Sequence, residues 1–62
     1  MQGIIEEIIN SGSIVTLWVK TPKHGSKPIH MDHRMYAHLA DSEETIKGRE
    51  VIYSEGSIEF LD

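Results

Sequence analysis

Alternation of apolar and polar side chains predicts strands in both halves of the chain. The clearest run is 13–20, where every second residue is apolar and β-branched residues are frequent. Its inward set is Val15, Leu17 and Val19. Nearer the C-terminus, a strand over 49–54 is followed by Glu55-Gly56, a pair suited to a two-residue hairpin turn, and by a last strand over 57–61.

The opening segment, 3–9, contains four isoleucines around Glu6 and Glu7. Its spacing fits a helical face as well as a strand, and the β-branched side chains favour the strand. A bulge at the two glutamates would turn Ile5 and Ile8 to one side and bend the strand. Without a bulge, adjacent Glu6 and Glu7 would point to opposite faces.

The spacing of apolar residues changes in the middle of the chain. Two prolines and a glycine predict a loop over 21–28. A short strand over 29–32 follows, with Ile29 and Met31 alternating with polar residues. From His33 to Ala40 an apolar stripe of Met35, Tyr36 and Leu39 predicts a helix of two turns, which Asp32 can cap.

These elements predict one all-β domain over residues 1–62, a small five-stranded barrel with the order β-β-β-α-β-β. A chain of this length supports a single core. An SH3-like barrel, with the helical turn placed differently, is the structural alternative. We expect the core to contain Ile5, Ile8, Val15, Leu17, Val19, Met35, Leu39, Val51, Ile58 and Phe60.

Glycine and β-branched positions carry a resemblance to a known fold. The motifs are Gly3-x-Ile5-x-x-Ile8 at the start and Gly48-x-x-Val51 after the helix, with a long second strand between them. This arrangement resembles OB-fold barrels, in particular S1-type RNA-binding barrels and TOBE oxyanion-binding barrels. The resemblance implies an OB-like topology, and it assigns no site residue.

The composition of the chain limits the kinds of catalysis and ligand binding that it can support. The chain has no cysteine, which excludes thiol catalysis and thiolate metal sites, and its net charge is −4. No apolar run approaches the roughly 20 residues of a membrane span, so we expect no membrane partner. The absence of cysteine leaves the compartment open, and a cytoplasmic location is the default expectation. No serine lies in a nucleophile or phosphate-binding motif. We therefore expect no enzyme activity and no cofactor.

Candidate binding residues lie on the second strand and in the middle of the chain. Trp18 lies on the strand face opposite the inward set, where an exposed aromatic can anchor a partner or stack on a base. Basic side chains concentrate in the same region. The candidate set is Trp18, Lys20, Lys23, Lys27, His30 and Arg34. A separate candidate is a metal site formed by His30, His33 and His38.

Three function classes follow from these residues. The first is a binding or adaptor barrel that recognises a protein partner, or a second copy of itself, through the Trp18 face. The second is weak binding of single-stranded nucleic acid or another polyanion through the basic 20–34 region. The third is binding of a small oxyanion or a metal ion.

Overall fold

The computed structural model describes residues 1–39 and 46–61. It is mostly β, with five antiparallel strands in one sheet and one short helix in the described ranges. The strands are β1 (Gln2–Asn10), β2 (Ile14–Thr21), β3 (Gly25–Asp32), β4 (Glu50–Ser54) and β5 (Ser57–Phe60), and the helix α1 (His33–Leu39) follows β3. No helix in these ranges is long and apolar enough to cross a membrane.

Strand β1 lies at the centre of the sheet, whose order is β3-β2-β1-β4-β5. The predicted bulge is confirmed, because the register of β1 against β2 shifts between Ile5 and Glu7. Ile5 is consequently fully buried and Ile8 packs against the core despite their odd spacing. The sheet is not closed within the described ranges, which leaves β3 and β5 as its edges and the barrel as a prediction.

The prediction of a loop over 21–28 is wrong for most of that range. Strand β3 begins at Gly25 and pairs with β2 along its whole length, leaving a tight turn after Thr21. Thr21 stabilises this turn, since its hydroxyl donates to the Gly25 carbonyl at 2.8 Å and accepts from the His24 amide at 3.0 Å. Pro28 is tolerated because β3 is an edge strand, where one N–H can be lost without breaking a ladder.

The helix and the last hairpin form as predicted. The Asp32 carboxylate accepts a hydrogen bond from the Met35 amide at 2.8 Å, which is the expected N-cap contact. Ala40, the predicted last helical residue, lies outside the described ranges. Glu55 and Gly56 have φ values of 51° and 79°, and positive φ at both central residues defines a type I′ turn.

All ten predicted core residues are buried or pack against the core. Those that are completely buried come from three strands: Ile5, Val15, Leu17, Val19 and Val51. The core also includes Ile29 and Met31 of β3, Tyr36 of α1, and Ile46, which is 1% exposed. Strands from both halves of the chain therefore bury one face of the sheet against α1 and Ile46.

Candidate functional site

The outer face of the sheet, opposite the core, is determined by the strand register. Paired residues of antiparallel strands project to the same side, so residues opposite Thr16, Trp18 and Lys20 lie on the outer face with them. On β1 these include Ile4, Glu7 and Ile9, and on β3 they include Ser26, Pro28 and His30. Ile14 and its partner Asp32 complete the same face at one end.

Exposed apolar side chains concentrate on this outer face. The large hydrophobic residues that are exposed in the described ranges are Met1, Ile4, Ile9, Ile14, Ile52 and Leu61. Four of them, the isoleucines, have outer-face register positions, and they are between 36% and 48% exposed. Trp18 is half-buried among them. A monomeric domain buries such side chains in its core when it can, so the face on which they concentrate is the candidate site.

We name the continuous part of this surface the Trp18 patch, consisting of Ile9, Ile14, Thr16, Trp18 and Pro28. Thr16 is its centre, with Ile9 directly opposite on β1. Ile14 and Trp18 flank Thr16 on the same face of β2, and Pro28 is paired with Trp18 on β3. Direct cross-strand partners are about 5 Å apart and diagonal ones about 7 to 8 Å, so these side chains adjoin one another.

The β1 bulge brings two carboxylates to the same side of the sheet. Glu7 is directly opposite Trp18, and Glu6 is the additional residue of the bulge. The Glu6 carboxylate accepts a hydrogen bond from the Ser26 hydroxyl on β3, so its side chain crosses β2 on the outer face. The two glutamates therefore share one face, because the bulge removes the alternation that would have separated them.

A hydrogen bond orients the histidine of the outer face. The Thr16 hydroxyl and His30 Nδ1 are 2.9 Å apart across the β2–β3 pair. His30 is exposed, and this contact holds its ring beside the Trp18 patch. Of the predicted binding residues, Trp18, Lys20 and His30 are thus brought together on one face.

The other basic candidates lie elsewhere. Lys27 is paired with core-facing Val19, so it projects to the opposite side of the sheet from Lys20. Lys23 is in the turn before β3, and Arg34 is on α1 beyond the far end of that strand. Strand β3 has eight residues, so its length separates these two by roughly 25 Å at about 3.3 Å per residue. The structure therefore does not join the 20–34 cations into one surface.

A cavity of about 380 Å³ opens at the turn end of the β2–β3 hairpin. It is lined by Met1, Gln2, Thr21, Pro22, Lys23 and His24. The Thr21 hydroxyl is already engaged by the turn, and the other lining residues are exposed. One candidate binding residue, Lys23, lines this cavity, which is separate from the Trp18 patch along β2.

The histidines do not converge in the described part of the chain. His30 lies on the outer face beside Thr16, whereas His33 and His38 are exposed on α1. No group of three or more histidine, cysteine, aspartate or glutamate side chains in residues 1–39 and 46–61 is arranged to hold a metal ion.

Sequence reasoning identified Trp18 and missed most of the apolar side chains around it. The alternation of β2 already places Ile14 and Thr16 on the same face as Trp18. Ile9 and Pro28 join the patch only through the pairing of three strands. Comparison of the chain with models of protein families, with curated proteins and with solved structures found no match.

Proposed function

We propose that this chain is a non-catalytic binding module that contacts a protein through the Trp18 patch. The observation that carries the proposal is the placement of four exposed isoleucines and a half-buried tryptophan on the outer face of one sheet. Tryptophan surrounded by aliphatic side chains is the composition typical of the centre of protein interfaces.

The energetics favour a protein partner that covers this face. Removing apolar surface from water contributes about 25 cal/mol per Å², so covering a patch of a few hundred Å² is worth several kcal/mol before the costs of association. Trp18 loses little conformational freedom on binding because it is already half-buried beside Pro28. Aromatic anchors of this kind supply much of the affinity of small interfaces.

A polyanion fits this surface less well. Glu7 is directly opposite Trp18, and Glu6 crosses β2 on the same face, so a phosphate backbone near the aromatic ring would meet two carboxylates. Lys20 is the one lysine or arginine with an outer-face register position in the described strands. Nucleic-acid binding depends on several cations along the backbone path, and we therefore rank it below protein binding.

We further infer that the scaffold of this module is a barrel of the OB type. Supporting this, β1 is central and pairs with both β2 and β4, and all five strands contribute side chains to one core cluster. The helix follows β3, as the resemblance implies. Closure requires contact between β3 and β5. Cross-strand nuclear Overhauser effects between their backbones would support the barrel, and a solvent-exchanging β3 edge along its full length would contradict it.

Site-specific photo-crosslinking in the native cell tests the proposed function. A photoreactive amino acid at Ile14 places the probe in the patch, and the same residue at Glu55 places it in the exposed hairpin turn as a matched control. We expect discrete protein adducts from position 14 and none of the same mass from position 55. A nucleic-acid adduct, or no adduct that distinguishes the two positions, would contradict the proposal.

A further inference from the structure

We infer that the partner bound at the Trp18 patch is a basic amphipathic segment of another protein, one that presents apolar side chains flanked by lysine or arginine. This inference rests on the proposed function and adds the chemistry of the partner. It is carried by the distribution of charge around the patch, which is different from that of the rest of the described surface.

Carboxylates are concentrated on the outer face. The acidic residues within the described ranges are Glu6, Glu7, Asp32, Glu50, Glu55 and Glu59. All except Glu55, which is in the hairpin turn, lie on the outer face by their strand pairing or, for Glu6, by its contact with Ser26. Lys20 is the one lysine or arginine whose register places it there. Within the described strands, the face is therefore both apolar and acidic.

The carboxylates bracket the Trp18 patch at its two ends. Glu7 is opposite Trp18 at one end, and Asp32 is opposite Ile14 at the other. Trp18 and Ile14 are separated by four residues of β2, or about 13 Å at about 3.3 Å per residue. Glu7 is on β1 and Asp32 is on β3, so their positions also differ by two strand spacings, about 10 Å across the sheet. A complementary segment therefore places apolar side chains over the centre of the patch and cations roughly 16 Å apart at its two ends.

A second copy of the chain does not satisfy this arrangement. In a two-fold contact through the same face, Glu6, Glu7 and Asp32 of one copy would be brought near the same three carboxylates of the other. Like charges brought together at an interface oppose association. The whole chain also carries a net charge of −4, which attracts a basic partner and repels another copy over longer distances.

A peptide titration tests the chemistry of the partner directly. The probes are three short synthetic peptides without aromatic residues: one of leucine and lysine in an amphipathic pattern, one of leucine and glutamate in the same pattern, and one of serine and lysine. Trp18 is the only tryptophan, so its emission reports binding at the patch, and amide chemical shifts locate the contact. We expect only the leucine–lysine peptide to bind, with an affinity that falls as salt is added.

Charge-neutral variants separate the role of the carboxylates from that of the apolar surface. The double variant Glu6→Gln, Glu7→Gln keeps the shape and the Ser26 hydrogen bond acceptor while removing two negative charges. We expect it to bind the leucine–lysine peptide about fivefold more weakly, the size typical of exposed ion pairs. The matched control, Glu55→Gln in the hairpin turn, should bind as the unaltered chain does.

The outcomes distinguish this inference from the proposed function. Equal binding of the leucine–glutamate peptide, or an unchanged affinity in the double variant, would overturn the inference and leave a protein-binding patch of other specificity. A crosslink from position 14 to a second copy of the chain would likewise overturn the inference and leave the patch as a protein-binding surface of other specificity. If none of the three peptides perturbs Trp18 or the outer-face amides, the inference is wrong, and crosslinking then decides the proposed function separately.

Discussion

Gly3 lies where β1 passes close to β2, and replacing it with alanine should strongly destabilise the fold. An added Cβ would be 2.7 Å from Val19 Cγ1 and 2.9 Å from the Lys20 carbonyl carbon, and nearer still to the carbonyl oxygen of that residue. Real Cβ atoms essentially never approach other heavy atoms this closely, and a backbone carbonyl cannot rotate away as a side chain can. The β1–β2 pair must therefore separate locally, and the Gly3–Val51 pair with β4 shifts with it.

The loss of unfolding free energy expected for Gly3→Ala is the difference between two opposing contributions. Overpacking costs about 1 to 3 kcal/mol, and a clash with backbone belongs at the upper end of that range. The reduced freedom of the unfolded alanine chain offsets about 0.4 to 1 kcal/mol, which leaves a net loss of about 2 kcal/mol. The total stability expected for this length is about 3 to 9 kcal/mol. The melting temperature should consequently fall by about 10 °C.

Thermal and urea unfolding followed by circular dichroism measure this loss. Gly12→Ala is the informative control, because Gly12 has a φ of 92° and a Cβ there would meet nothing within 4 Å. That variant adds a methyl group at a left-handed position without a clash, at a cost of about 1 kcal/mol. If Gly3→Ala unfolds at or above the midpoint of Gly12→Ala, the close approach of β1 to β2 does not exist as described.

Three further changes probe the core, the helix cap and the hairpin. Ile46→Ala should lower the unfolding free energy by about 2 to 5 kcal/mol because Ile46 is 1% exposed. A loss below about 1 kcal/mol in urea unfolding would place this residue outside the core. Asp32→Ala should cost about 1 kcal/mol through the lost contact with the Met35 amide, whereas Asp32→Asn should retain most of the stability; equal losses in thermal melts would contradict a capping role. Glu55→Asn should raise the unfolding free energy by about 0.5 to 1 kcal/mol, since Glu55 has a φ of 51° and asparagine tolerates that conformation better. An unchanged or lower melting temperature would argue against a type I′ turn.

The inward-facing residues were predictable because burial follows a local period. In β2, burial of Val15, Leu17 and Val19 depends only on alternate side chains pointing to one face. The bulge in β1 was also readable, since Ile5 and Ile8 can share a face only if the strand contains an additional residue. Gly56 similarly indicated the last hairpin turn, because glycine readily adopts the positive φ that such a turn requires.

Two features of the fold, the start of strand β3 and the burial of Ile46, were not predictable from the local sequence pattern. Strand β3 begins before Pro28 because β2 supplies hydrogen-bonding partners along its length, and an edge position makes the proline acceptable. Local composition describes only the turn-forming tendency of Pro22 and Gly25. Ile46 was missed for a related reason: it lies outside any alternating or helical run, and only the packing of distant segments buries it.

The sequence by itself determined the inward-facing sets of the alternating strands and of the helix, and the order of the elements, because hydrophobic periods of about 2 and 3.6 residues are properties of neighbouring positions. Only the tertiary structure decided the content of the outer face. Glu6 and Ser26 are 20 residues apart along the chain and meet across β2, and Ile9 reaches the Trp18 patch through its pairing with Thr16. Such neighbours depend on strand register, and a slip of one residue would turn each side chain to the other face.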